Sequence, residues 1–262
     1  MKKLGIKVYT KDFITKKDFI EAGIEAVRNK LFDYVELFAR PDSYDETNQV
    51  IANLLKGVEV IIHAPHATYG MDVGNKGMFE QNCKLLEASQ RFADLLRSEI
   101  IILHAGVGDK EENLAETINQ FNKINDSRLA IENLPYYCTA TQKILHGTSP
   151  AQIKRIIDET NCKFCFDICH GVCAANSFKR DPLADLKAYQ ALNPDMYHLC
   201  DNFWESDKDA HLHYGEGNYD LGMIINEIIS DDKPITMETG YGIPIGIEPW
   251  LKDAEYIRQF FK

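Results

Sequence analysis

Short runs rich in β-branched and aromatic residues recur along this chain and alternate with longer stretches of helical periodicity. The extended runs are Leu4–Val8, Tyr34–Phe38, Val58–His63, Glu99–His104, Arg128–Glu132, Lys163–Asp167, Met196–Leu199 and Pro234–Glu238, with the length and composition of buried strands. They follow one another at a step of roughly 33 residues, the span of one strand–helix unit. Between them, apolar positions return at three- and four-residue intervals. Phe19, Ile20, Ile24 and Val27 mark a helix over Asp18–Lys30, and Leu85, Leu86, Phe92, Leu95 and Leu96 mark one over Lys84–Leu96. Thr15 with Asp18 predicts a variant capping box before the first of these. Ser149-Pro150 reads as an N-cap followed by proline at the first helical position, and Pro249 opens the last helix. Asp45–Lys56, Glu111–Ile124, Pro182–Leu192 and Leu221–Ser230 complete the helical set.

Strands alternating with helices in this way predict an α/β protein, a single (β/α)8 barrel over residues 1–262, with no linker or compositional break dividing it. A doubly wound open sheet would place a glycine-rich phosphate loop after its first strand. Val8-Tyr9-Thr10-Lys11-Asp12 contains no glycine.

Composition narrows the chemistry. With 45% hydrophobic and 26% charged residues the chain is neither disordered nor a disulfide scaffold. The balance of 29 basic against 40 acidic residues, a net charge of −11, excludes a whole-surface basic footprint for nucleic acid. It leaves room for a local basic patch, or for cations bound in a carboxylate-rich cleft. Apolar runs such as Ile100–Leu103 fall short of the roughly 20 residues a membrane span needs, and the N-terminus lacks the apolar stretch of a signal peptide. The expectation is a soluble cytoplasmic protein, with no membrane association and no protein partner evident. Seven cysteines, including the crowded Cys162, Cys165, Cys169 and Cys173, are expected to be buried free thiols rather than a redox or zinc pair.

In such a barrel, reactive groups come from the C-terminal ends of the strands. The second strand carries Glu36, the third ends at His63, the fourth at His104 and the fifth at Glu132. The sixth ends at Asp167 with His170 three residues on, the seventh carries His198 and the eighth Glu238. Imidazoles and carboxylates suit zinc, manganese or magnesium, and carboxylates converging on one mouth repel unless a cation holds them. The scarcity of cysteine at these ends argues for an open catalytic site over a structural thiolate one. Further on, Asp209-x-His211 puts a carboxylate and an imidazole on one side of an extended segment. Gly215-Glu216-Gly217 suggests a constrained turn close to a ligand.

Asp167-Ile168-Cys169-His170, His198-Leu199-Cys200-Asp201, the segment from Asp209 to Gly217, and Met237-Glu238-Thr239 resemble the xylose isomerase-like barrel superfamily. That group includes endonuclease IV and many sugar isomerases and epimerases. Resemblance to endonuclease IV implies hydrolysis at abasic sites in DNA by a cluster of Zn²⁺ ions, as many as three. It also implies a ligand set of His63, His104, a bridging Glu132, Asp167, His170, His198, Asp209, His211 and Glu238, with Glu132, Glu238 and His170 in the catalytic group. His66 competes with His63, because Tyr69, Asp72 and Gly74 follow it at the family's spacing. Val35–Pro41, however, lacks the recognition loop rich in Asn, Arg and Trp, and the first strand lacks the family's early His. Sugar isomerases share Glu132, Asp167, His198 and Glu238 as a single-metal set with His170 beside the substrate, which implies Mn²⁺ or Mg²⁺ and a small sugar. Arg40, Lys76, Lys179 and Arg180 are candidate phosphate contacts for the first reading. Phe38, Trp204 and Tyr241 are candidate stacking surfaces for the second.

Overall fold

The computed structural model describes residues 2–240 and 246–261, so Tyr241 lies outside the described residues. Eight parallel strands close into a barrel in chain order: β1 (Lys3–Tyr9), β2 (Tyr34–Phe38), β3 (Glu59–His63), β4 (Ile101–His104), β5 (Leu129–Glu132), β6 (Lys163–Asp167), β7 (Met196–Leu199) and β8 (Pro234–Met237). The ring closes where β8 pairs with β1, from Lys3↔Pro234 to Ile6↔Met237. Each strand lies within two residues of its predicted ends. Around the barrel run α1 (Lys17–Arg28), α2 (Tyr44–Leu54), α3 (Phe79–Leu96), α4 (Glu111–Ile124), α5 (Pro150–Thr160), α6 (Ile168–Ser177), α7 (Pro182–Gln190) and α8 (Glu248–Arg258).

The two-residue period of the strands sorts the side chains into layers. On β1, Leu4, Ile6 and Val8 join the apolar layer that includes Ile20, Ile24 and Val27 of α1. Facing inward, Tyr34, Ile61, Ile102, Ala130, Cys165 and Met196 pack as a separate buried plug across the barrel. The Tyr34 hydroxyl is 2.8 Å from Thr236 Oγ1. Gly5 makes room for that ring, since a Cβ there would lie 2.3–2.8 Å from Tyr34 ring atoms. Two residues further along each strand the next inward position stands above the plug: Lys7, Glu36, His63, His104, Glu132, Asp167, His198 and Glu238. The barrel interior is thus a packed floor with a charged layer on top.

Local details depart from expectation at four places. Thr15 does not cap α1: its hydroxyl donates to the Lys11 carbonyl at 2.8 Å, because Asp12–Thr15 forms its own helical turn with Phe13 buried beneath it. The predicted helix over Leu221–Ser230 is one α-turn, Leu221–Met223, continued by a π-turn over Ile224–Ile228. Helix α6 has no amphipathic signature, because all but its last two residues are buried. An antiparallel hairpin pairs Tyr137–Cys138 with Lys143–Ile144 between β5 and α5. The cysteines are all free; Cys165, Cys169, Cys173 and Cys200 are buried, whereas Cys83, Cys138 and Cys162 are half-buried. Cys165 belongs to the plug and Cys162 packs on the helix side, so they do not form a pair. Among the described residues no helix is long and apolar enough to cross a membrane.

Candidate metal centre

The nine residues singled out from the sequence converge at the C-terminal mouth of the barrel in three groups, the first two sharing Glu132, and Glu36 forms a further group with His63 and Glu238. His63, His104 and Glu132 form one; Glu132, Asp167, His198 and Glu238 a second; His170, Asp209 and His211 a third. Within each group the donor atoms lie within 4.8 Å of one another. Glu132 Oε2 is 3.3 Å from His63 Nε2 and 3.0 Å from His104 Nε2. Its other oxygen is 3.1 Å from His198 Nδ1, which is also 3.1 Å from Glu238 Oε1 and 3.9 Å from Asp167 Oδ2. Asp209 Oδ2 is 2.7 Å from His211 Nε2 and 3.3 Å from His170 Nε2.

Neighbouring acceptors determine which imidazole nitrogen faces the centre. His63 Nδ1 donates to the Ala64 carbonyl at 2.7 Å, His170 Nδ1 to the Asn133 carbonyl at 2.9 Å, and His211 Nδ1 to the Glu238 carbonyl at 2.7 Å. His198 Nε2 donates to Glu36 Oε2 at 2.8 Å. Each ring thereby turns its other nitrogen toward the carboxylates, the outer-shell arrangement that orients imidazole ligands. Glu132 Oε2 is buried between His63 Nε2 at 3.3 Å and His104 Nε2 at 3.0 Å, with no well-aligned hydrogen bond to either. Two imidazole nitrogens converging on one poorly satisfied buried carboxylate oxygen are the donors a cation would draw together, so this set fits a metal ion.

The chain builds the third group by local devices. Asp167 closes β6 and caps α6, its Oδ1 accepting from the His170 amide at 2.6 Å, which brings His170 into the mouth on the first turn. Asn133 holds the position from β5, donating to the Asp167 carbonyl and accepting from its amide, both at 2.8 Å. Asp209 and His211 face each other on an irregular segment, not a regular strand, and His211 has a left-handed φ of 46°. A non-glycine residue in that region is uncommon and marks a backbone held by its surroundings.

The metal-free electrostatics show protons standing where cations would. Burial, then the charges of Glu238 and Glu132, push Asp167 up to about 8 despite His170. Burial opposes a charge on His211, but Asp209 lifts it to about 10. Burial also works against an ionised Glu36, yet His198 and Lys7 hold it at about 2. For Glu132, His104 and His198 outweigh burial and keep it well below the usual carboxylate range.

Lys7 and Glu36 complete the layer. Lys7 Nζ lies 3.1 Å from Glu36 Oε1 and pairs with Glu238. Lys7 was missed in the sequence; the signal that could have found it is a lysine at an inward position of β1, between Gly5 and Tyr9. His63, and not His66, reaches Glu132; His66 stacks on His104 with ring centroids 5.0 Å apart and is kept neutral chiefly by burial. Above the donors opens a cavity of about 530 Å³, walled by Tyr9, Phe38, Tyr69 and Trp250 with Lys16 and Arg40.

Several expected contacts lie elsewhere. Trp204 packs edge-on against Tyr219 and is absent from the cavity wall. Of the four basic candidates Arg40 alone lines the cavity. Arg180 is engaged by Asp185 and the Thr148 carbonyl and stacks over Phe178, and Lys76 and Lys179 stand away from the mouth. The Gly215-Glu216-Gly217 turn wraps the Asp201 carboxylate, which accepts from the Gly215 and Gly217 amides at 2.8 and 3.1 Å, so its constraint is structural.

Residues 24–260 match the family model described as the xylose isomerase-like TIM barrel. Over 187 residues the chain is 25% identical to the protein named "Probable endonuclease 4" of Mycobacterium bovis (strain BCG / Pasteur 1173P2), covering 69% of this chain and 72% of that one. Among solved structures, a D-tagatose 3-epimerase-like protein superposes with a TM-score of 0.70 at 19% identity, over 98% of this chain and 96% of its own. Endonuclease IV from Thermus thermophilus superposes with a TM-score of 0.68 at 20% identity, over 98% of both chains. At such identities the two superpositions speak to the fold. The closed parallel barrel and the match over residues 24–260 together establish that this chain belongs to the xylose isomerase-like TIM barrel family.

Proposed function

We propose that this protein is a metal-dependent hydrolase that cleaves phosphodiester bonds at abasic sites in DNA, with zinc ions held by His63, His104, Glu132, Asp167, His170, His198, Asp209, His211 and Glu238. The observation that carries this reading is that the donors at the mouth exceed what one ion needs, in several close groups of which two share Glu132. A single-ion site needs no more than the second group, with His170 beside the substrate; it leaves His63, His104 and His211 without an ion to hold. Bound zinc would lower the pKa of a water molecule and neutralise phosphoryl oxygens. The chain's own part is to hold the donors in register. Glu132 offers one oxygen to the His63–His104 side and the other to His198. Asp167 and Glu238 flank His198, and His170 stands between Asp167 and Asp209. Arg40, lying over the Tyr69 ring at the mouth, is positioned to meet a phosphate.

The test is elemental analysis of protein purified without added metal, together with nicking of a duplex carrying an abasic site. About three zinc ions per chain, and nicking that is lost on chelation and weakens as salt rises, support the reading. An intact duplex with a fully loaded site overturns it.

A second reading, isomerisation or epimerisation of a small sugar, is favoured by the cavity itself. Its volume of about 530 Å³, its aromatic walls, and the hairpin residues Tyr137 and Cys138 lining it suit a small molecule better than an open groove would. Here one Mn²⁺ or Mg²⁺ would sit among Glu132, Asp167, His198 and Glu238, and a carboxylate would move the proton beside the substrate carbonyl. Exchange of a substrate C–H proton with solvent deuterium, alongside about one ion per chain, would select this reading.

A further inference from the structure

Behind the third donor group lie three thiols that neither reading uses. Cys169 and Cys173 stand one turn apart on α6, and Cys200 directly follows β7. All three are buried and pack against one another as a separate cluster. Burial alone is ordinary for free cysteine, but the polar groups around these sulfurs are not. Asn202 Nδ2 donates toward Cys169 Sγ at 3.2 Å and Cys173 Sγ at 3.5 Å, and the Tyr219 hydroxyl toward Cys169 Sγ at 3.8 Å. Cys169 in turn donates to Asp209 Oδ1 at 3.3 Å. The sulfurs of Cys169 and Cys200 and an Asp209 oxygen all lie within 4.8 Å of one another.

We propose that Cys169 and Cys200, with Cys173 packed against them as a third thiol, form a second metal site, selective for a soft ion of the Cu(I) type and distinct from the imidazole–carboxylate centre. Donors bonded to one ion at about 2.3 Å can stand no more than about 4.6 Å apart, a spacing that the Cys169 and Cys200 sulfurs and Asp209 reach with small shifts, while Cys173 packs against both thiols. Thiolates select soft ions, whereas imidazole and carboxylate select zinc, manganese or magnesium, so the two sites sort metals by chemistry. The Asn202 amide and Tyr219 hydroxyl are the outer-shell donors that a thiolate cluster requires. On binding, each thiol releases its proton to solvent and no electron is transferred. Asp209 links the sites: Oδ2 faces His170 and His211, and Oδ1 faces Cys169. The proposal is independent of the substrate.

The test is an anaerobic titration of the full chain, already loaded with zinc, with Cu(I) supplied from a chromophoric Cu(I) chelator. One Cu(I) per chain, a thiolate-to-copper charge-transfer band and unchanged zinc content are expected. The double variant Cys173→Ala/Cys200→Ala should bind Cu(I) at least about 100-fold more weakly while retaining zinc. Failure of the wild-type chain to take copper from the chelator, or equal uptake by the variant, overturns the proposal. Should the variant not fold, X-ray absorption on the wild-type copper complex decides: a sulfur shell near about 2.3 Å supports the site, and a nitrogen or oxygen shell refutes it.

Discussion

His198 on β7 donates from Nε2 to Glu36 Oε2 on β2 at 2.8 Å, a hydrogen bond across the barrel between two fully buried side chains. It assigns the proton to Nε2 and leaves Nδ1 to face Glu132 and Glu238. Glu36 thus orients His198 and also stands within 4.8 Å of donor atoms of His63 and Glu238.

Replacing Glu36 with Gln keeps the volume and removes the charge that holds this tautomer. The expected result is a folded barrel whose metal affinity falls by about 10- to 100-fold, read by competition with a chromophoric chelator. Unchanged affinity would show that Glu36 serves only to neutralise Lys7.

Glu132→Gln should have a larger effect. The amide cannot offer an anionic oxygen to both the His63–His104 side and His198. Metal content should drop, affinity should fall by more than about 100-fold, and activity should be lost with the circular dichroism spectrum retained. Full metal content in this variant would remove Glu132 from the ligand set.

Metal loading should release protons and strengthen with pH. In the metal-free chain His211 is raised to about 10 and Asp167 to about 8, so both hold a proton at neutral pH that a cation must displace. Calorimetry of zinc binding in buffers of differing ionisation enthalpy should give a heat that depends on the buffer. A buffer-independent heat would contradict the protonated centre.

The same shifts predict how the stripped protein responds to pH. His211 binds its proton more tightly when folded, so its stabilisation is complete below about 6.5 and is lost as pH rises through about 10. Asp167 is likewise raised, and its burial costs stability as pH climbs from about 3.9 to about 8. The stabilisation from the depressed Glu36 and Glu132 is already present above about 4.5 and does not change in this range. Thermal melts of chelator-stripped protein should therefore fall in Tm from pH 6 to pH 9 by more than those of metal-loaded protein. Parallel slopes would count against protons as the stand-ins.

Gly5→Ala should destabilise the barrel floor. The added carbon would lie 2.3–2.8 Å from the Tyr34 ring, which is fully buried and hydrogen-bonded to Thr236. Overpacking of this kind costs about 3 kcal/mol, measurable by denaturant unfolding as a lower midpoint.

The barrel and the donors on its rim were legible in the sequence because both are encoded locally. A β-rich run such as Lys163–Asp167 declares its strand, and parallel closure then sends every strand's C-terminal end to the same mouth, so Asp167, His198 and Glu238 meet without any contact having to be inferred. Relationships across the barrel were decided by the tertiary structure alone. Glu36 and His198, or Lys7 and Glu238, are far apart in the chain, and nothing local states that they touch. The choice of His63 over His66 needed the Glu132 carboxylate in place, and the cap at Thr15 lost to a helical turn that only the buried Phe13 accounts for. Trp204 and the Gly215–Gly217 turn carried the local marks of a ligand site, yet they pack on Tyr219 and Asp201, because aromatic area and backbone amides are satisfied by whichever neighbour the fold brings within reach. Periodicity determines which face of a strand a residue occupies. Which partner it meets on that face depends on closure of the ring.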